Sequence, residues 1–244
     1  MVINVHGGHN TKAPGASGLL NEVAEDRKVK DLVIAKLRAL GHTVYDCTDD
    51  DGATANACLK NIVAKCNSHS ADLDVSIHFN AAANDPAGDG RTTGTEVLVY
   101  SASSAAAPYA ANICAAIAAL GFRNRGVKER PGLYVLKHTK APAVLIENGF
   151  HTNQDEVSLL KEAAYRQKLA VAEARGILEY LGIPWTEDET DPGYEAEVQA
   201  AVAWLTENGV LQGNSQGDLM LDQPLTRRQF AVLEYRIARL EGFV

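Results

Sequence analysis

The chain opens on a short apolar run, Val2-Ile3-Asn4-Val5-His6, which predicts a β-strand. From residue 22 to residue 40 the apolar positions shift to helical spacing. Val29, Leu32, Val33, Leu37 and Leu40 share one face, and Gly41 supplies a stop. The two patterns then alternate. Residues 42–47 read as a strand, 53–68 as a helix, and 73–79 and 95–100 as strands. Residues 105–120 read as a helix ending at Gly121, 143–147 as a strand, and 155–181 as one long helix. Strands alternating with helices predict an α/β fold with a mostly parallel sheet covered on both faces. In such sheets ligands sit beyond the carboxyl ends of the strands.

The pattern changes after residue 183. Residues 184–193, Pro-Trp-Thr-Glu-Asp-Glu-Thr-Asp-Pro-Gly, are acidic, bracketed by prolines and without apolar periodicity, so they read as a linker. Beyond them, 195–207 and 225–240 are amphipathic at helical spacing, joined by a loop that holds Gly209, Gly213 and Gly217. The expected organisation is a domain over 1–183, a linker over 184–193 and a small all-helical domain over 194–244. Charge follows the same divide. Residues 1–183 carry 19 basic and 20 acidic side chains, and residues 184–244 carry 4 and 11.

The whole chain of 244 residues has a formal net charge of −8. An acidic protein is poorly suited to sequence-independent binding of nucleic acid or anionic membrane. Aromatic residues are only 6% of the chain, too few to suggest a stacking platform for bases. Cys47, Cys58, Cys66 and Cys114 form no CxxC pair, so they read as buried free thiols of a protein made in a reducing compartment. The Ala-rich stretch over 104–122 contains Pro108, Tyr109 and Asn112 and reads as a packed helix, too weakly apolar for a membrane span. The first strand begins at residue 2, where a secretory leader would place a basic and then an apolar segment. Synthesis in the cytoplasm, with action elsewhere after release, is the expectation.

Several polar residues sit where strands end or helices begin. His9 follows the first strand, His78 lies near the end of Leu73-Asp74-Val75-Ser76-Ile77-His78-Phe79-Asn80, and Glu147 ends Ala143-Val144-Leu145-Ile146-Glu147. Glu22 opens the first helix. Taken singly, each has an ordinary reading: a hydrogen-bonded histidine, or a first-turn glutamate favoured by the helix dipole. Glu147 stands apart, because a carboxylate at the end of a core strand needs a partner or a proton. Two imidazoles and a carboxylate are a common ligand set for catalytic zinc, and a second, unligated carboxylate can move protons. By chemistry alone His6 rivals His9 as a ligand.

Four segments resemble the zinc-dependent N-acetylmuramoyl-L-alanine amidases, the family of sporulation amidases and many phage endolysins. They are Gly8-His9 ahead of Pro14-Gly15-Ala16, Glu22 ahead of Gly41, Ser76-Ile77-His78-Phe79-Asn80-Ala81, and Pro142 to Phe150 followed by Thr152-Asn153 and Asp155. The match runs over almost all of residues 1–180. The resemblance implies a mixed sheet of about six strands, Zn²⁺ held by His9, Glu22 and His78, and Glu147 as general acid/base. The implied substrate is peptidoglycan, cut between N-acetylmuramic acid and the L-alanine of the stem peptide. One departure stands out: the family usually has Asp-Pro before Gly-His, where this chain has His6-Gly7. Glu25, one turn on from Glu22, is the alternative carboxylate ligand. Asn80 and residues 84–93 are expected to line the substrate groove, with Arg91 or Lys128 as partners for stem-peptide carboxylates.

In the second domain, residues 201–213 and 224–230 resemble the two halves of an S-layer homology module. Thr226 and Arg227 match its ligand-contacting motif, while Arg228 and Gln229 depart from it. The resemblance implies binding of an anionic secondary cell-wall polymer, and self-association would supply the further copies such modules work with. The alternatives to a wall amidase are a zinc peptidase acting on stem peptides and a non-catalytic wall-binding protein.

Overall fold

The computed structural model describes residues 1–16, 18–82, 87, 88 and 90–183, and residues 200, 202–212, 219, 232, 235–237 and 239. The chain divides into two compact units, Met1–Thr186 and Glu187–Val244.

The first unit is built on six strands: β1 (Val2–Gly7), β2 (Thr43–Asp46), β3 (Leu73–Asn80), β4 (Thr95–Val99), β5 (Asn124–Glu129) and β6 (Ala143–Phe150). They form one sheet in the order β2-β1-β3-β6-β4-β5. The first four strands in that order run parallel, β4 runs antiparallel to β6, and β5 is parallel to β4. Six helices are α1 (Glu22–Ala39), α2 (Ala55–Asn67), α3 (Ala107–Ala118), α4 (Tyr134–His138), α5 (Gln154–Leu160) and α6 (Ala163–Tyr180). The fold is the expected mixed α/β sheet with helices on both sides.

Local chemistry fixes the helix starts. The side chains of Asn21, Thr54 and Asn153 accept from the backbone N–H groups of Ala24, Ala57 and Glu156, capping α1, α2 and α5. Two cores cover the sheet. On one face Val29, Val33 and Leu37 of α1, Ile113 and Ile117 of α3 and Leu169 and Ile177 of α6 pack with Ile3, Val5, Val75, Ile77 and Ile146. On the other, Cys58, Ile62 and Cys66 of α2 and Val135 and Leu136 of α4 pack with Leu98 and Leu145. All four cysteines are free and buried.

The short helix α4 carries no clear periodicity and is new to the structure, and two further differences stand out. The helix expected over 155–181 is broken into α5 and α6, with Glu162 extended between them (φ −75°, ψ 127°). Neither Pro nor Gly marks that break. Arg166 makes it, donating from Nη1 to the carbonyls of Leu160 and Lys161 at 3.0 and 2.5 Å and so satisfying the end of α5. Strand β5, Asn-Arg-Gly-Val-Lys-Glu, lacks the apolar alternation that marks a strand; it is the partly exposed edge of the sheet.

The second unit is helical at the described residues 200, 202–207, 232, 235–237 and 239. Val210 is buried there, and Arg236 Nη1 donates to its carbonyl at 2.7 Å. The linker read at 184–193 and the pair Thr226 and Arg227 lie outside the described residues.

Candidate active site

The parallel strands deliver their polar residues to one face of the sheet. His78 pairs in register with Glu147 on β6, and Glu147 pairs with Glu96 on antiparallel β4. Residues opposite one another in a ladder point to the same face, so the three side chains stand side by side. His6 reaches the same cavity from β1, and all four line a space of about 410 Å³ together with Gly8, His9 and Asn80.

His9, Glu22 and His78 each offer one ligand atom within 4.8 Å of the others. Glu22 lies between the two imidazoles: Oε2 is 3.7 Å from His9 Nε2, and Oε1 is 3.2 Å from His78 Nδ1. The backbone N–H of Phe79 also donates to Glu22 Oε1, at 3.2 Å. Burial disfavours charge on Glu22, but the His78 hydrogen bond and the two imidazoles outweigh it and hold the carboxyl below its usual range. Burial opposes charge on His78 as well, yet Glu22 pushes it up to about 9. His9 shifts down, through burial and its neighbour His78. The rings of His9 and His78 meet edge to face with centroids 5.1 Å apart. Gly8 leaves room for this contact, since a Cβ there would stand 2.0 Å from His78 Cε1.

Glu147 belongs to no ion pair among the described residues, and its buried Oε2 has no hydrogen-bond partner among them. Burial raises its carboxyl to about 8, with Glu22 and Glu96 adding to the rise and His78 opposing it. An unpartnered carboxyl that titrates near neutrality beside a ligand cluster suits proton transfer in both directions.

The rival ligands are engaged otherwise. His6 is buried, with Nδ1 3.2 Å from the Gly7 carbonyl and 3.5 Å from Ser76 Oγ, and burial drives it down to about 3, so it stays neutral. Glu25 pairs with Lys28 at 2.6 Å and Arg166 at 3.2 Å. Asn80 lines the cavity, but its amide is held in place. Nδ2 donates to Glu96 Oε1 at 3.0 Å, and Oδ1 accepts from Ala81 N at 2.8 Å. Arg91 and Lys128 are not among the lining residues, and residues 84–86 and 89 of the expected groove loop lie outside the described ones.

The structure adds residues the sequence did not single out. Arg27 donates from Nη1 to the Gly8 carbonyl at 2.7 Å and from Nη2 to the His9 carbonyl at 2.8 Å, clamping the turn that aims His9. Glu96 is held by Arg125 Nε at 2.8 Å, and that guanidinium lies 5.0 Å over the Phe150 ring. His151 is buried with neither ring nitrogen hydrogen-bonded among the described residues. Arg27 lies five residues on from Glu22 in α1, on another side of the helix, so no periodicity marked it.

Comparison with known proteins fits this geometry. The chain is 37% identical over 163 residues to an uncharacterized protein of Clostridium perfringens, CPE1502, covering 66% of this chain and 47% of that one. It is 36% identical over 177 residues to the N-acetylmuramoyl-L-alanine amidase LytC of Bacillus subtilis, covering 72% of this chain and 34% of LytC. The chain thus spans half or less of the length of these relatives. The catalytic domain of the CD27L endolysin, which targets Clostridia difficile, superposes with a TM-score of 0.63 at 28% identity. That likeness covers 73% of this chain and 97% of the domain. The family model for N-acetylmuramoyl-L-alanine amidases matches residues 3–179. The chain belongs to the N-acetylmuramoyl-L-alanine amidase family.

Proposed function

We propose that this protein is a zinc-dependent peptidoglycan hydrolase. It cuts the amide between N-acetylmuramic acid and the L-alanine of the stem peptide. One observation carries the reading: His9 and His78, which cluster with Glu22, line one cavity with Glu147, whose Oε2 has no hydrogen-bond partner among the described residues. Two imidazoles and a carboxylate suit zinc in a site that keeps a position for water and substrate. Bound there, zinc supplies Lewis acidity toward the scissile carbonyl and the attacking water.

The chain's own residues do the rest. His9, Glu22 and His78 hold the ion, and the Phe79 N–H fixes the Glu22 carboxylate. Glu147 takes the water's proton at Oε2 and passes it to the nitrogen of the departing alanine. Burial pushes its carboxyl up, which favours the protonated form that hands the proton on. Asn80 donates to Glu96, which keeps that wall of the cavity rigid.

Metal analysis of the purified protein, combined with mass spectrometry of digested sacculi, tests the proposal. The expected result is about one zinc per chain and intact stem peptides freed from glycan. Zinc far below one per chain, with no muramoyl–alanine cleavage after zinc is added, overturns it. Glu147→Ala should keep the zinc and lose about 10²–10⁴-fold in turnover, the usual worth of a positioned acid/base.

The second unit, in this reading, holds the enzyme on an anionic wall polymer through an S-layer-homology-like module that includes Thr226 and Arg227. The exposed Trp204 and Tyr235 suit contact with a polymer. Action on the wall after release, as an endolysin, completes the proposed role. Sedimentation with sacculi stripped of secondary polymer should recover less protein than sedimentation with untreated sacculi.

A further inference from the structure

The cavity extends beyond the ligand cluster. From Glu147 and Glu96 it continues down the sheet over Leu145 and Leu98, the next pair on that face, about 7 Å away by strand rise. Its outer wall is apolar, with Leu59 and Ile62 from α2 and Leu133 and Tyr134 at the start of α4. At the far end stands Arg130, the one arginine or lysine among the described lining residues.

Arg130 follows β5, and its backbone N–H donates to the Val99 carbonyl at 2.8 Å. Val99 pairs with Val144 on β6, three residues before Glu147, so the Arg130 backbone sits about 10 Å or more down the sheet from Glu147. The side chain is exposed. Among the described residues its guanidinium donates to the Glu129 carbonyl at 3.0 Å and pairs with no carboxylate. The neighbouring Glu129 carboxylate instead accepts from Ala102 N at 2.6 Å.

An apolar trough with a guanidinium at its end, starting at the reacting centre, fits an extended acidic peptide. Past the cut amide the stem runs from L-alanine to residues that bear carboxylates, free or amidated. We propose that Arg130 is a specificity-determining residue that anchors a carboxylate of the second or third stem residue, with the peptide running along the apolar lining of the cavity. The inference rests on the amidase reading above. It makes amidation of the stem a determinant of turnover, because an amide cannot form the bidentate ion pair that a guanidinium gives a carboxylate.

The test uses three soluble muramoyl-peptides: both carboxylates free, the second residue amidated, or the third residue amidated. Initial rates are compared for the full chain and for Arg130→Gln. On the free peptide the variant should raise KM about tenfold, the loss of one charge-assisted hydrogen bond partly screened by water, with kcat within about twofold. Amidation of the anchored carboxylate should raise the wild-type KM by the same factor and leave the variant unaffected, which also tells the two carboxylates apart. Arg130→Lys should restore part of the loss. An unchanged KM on the free peptide, or an equal rise on all three, overturns the inference. Calorimetric titration of the free peptide into Glu147→Gln chains, with and without Arg130→Gln, decides the anchor without turnover. A wild type that cuts none of the three peptides therefore overturns the amidase reading and leaves the role of Arg130 to that titration.

Discussion

At His9 the backbone turns into the left-handed region, with φ at 49°, which a residue with a side chain adopts only under constraint. The constraint is Arg27, whose two nitrogens hold the carbonyls on both sides of the turn. Removing that clamp leaves His9 free to relax away from Glu22. If the proposed zinc site holds, Arg27→Ala should weaken zinc binding by about 10–100-fold, the range for groups that orient metal ligands, read by competition with a chelator. A smaller change has a larger effect next door. Gly8→Ala places a methyl 2.0 Å from the His78 ring and forces that ligand aside, so zinc content after purification should fall well below that of Arg27→Ala. The sequence named His9, Glu22, His78 and Glu147 as candidates, and these four stand together in the fold. What it left open was the choice between His6 and His9, which depends on which ring the Ser76 and Gly7 side of the sheet occupies.

Element packing sets a pH dependence of stability. Glu173 lies on the buried face of α6, fully enclosed, and the Asn148 side chain beside it only partly offsets the effect of burial. Burial raises its carboxyl to about 8, so in the folded chain it stays protonated where the unfolded chain has already ionised it. Between about pH 4.5 and pH 8 unfolding releases that proton, and stability falls as pH rises. Glu173→Gln removes the effect. Its gain in thermal stability over the wild type should be small at pH 5 and grow by up to the order of 4 kcal/mol at pH 8. Calorimetry at the two pH values reads the difference, and the comparison cancels the other titrating carboxyls. At the same scale the α5–α6 break depends on Arg166, which ends α5 while also pairing with Glu25 of α1 at 3.2 Å. No periodicity rule sees such a tie, because the partner is more than a hundred residues away.

For the molecule as a whole, the first unit carries a core of its own on each face of the sheet. The CD27L catalytic domain, which superposes on this part of the chain, matches over 97% of its own length. A chain ending at Thr186 should accordingly unfold in one cooperative transition, within a few degrees of the first transition of the full chain, when both are followed by calorimetry. A broad, non-cooperative melt would show that residues 187–244 complete the fold. The described helices offer none long and apolar enough to cross a membrane.

The sequence by itself determined the alternation of strands and helices and the identity of the chemical groups. These are local: they follow from periodicity and from residue type. Only the tertiary structure decided which strands lie side by side. The reversal of β4 beside β6 sets Glu96 against Glu147, and the crossing order of the sheet brings His78 to the same pair. Position along a chain carries no information about neighbours across a sheet. The charge on a buried group depends on those neighbours and on exclusion of water, so the raised carboxyl of Glu147 and the guanidinium at the far end of its cavity became visible in the folded molecule alone.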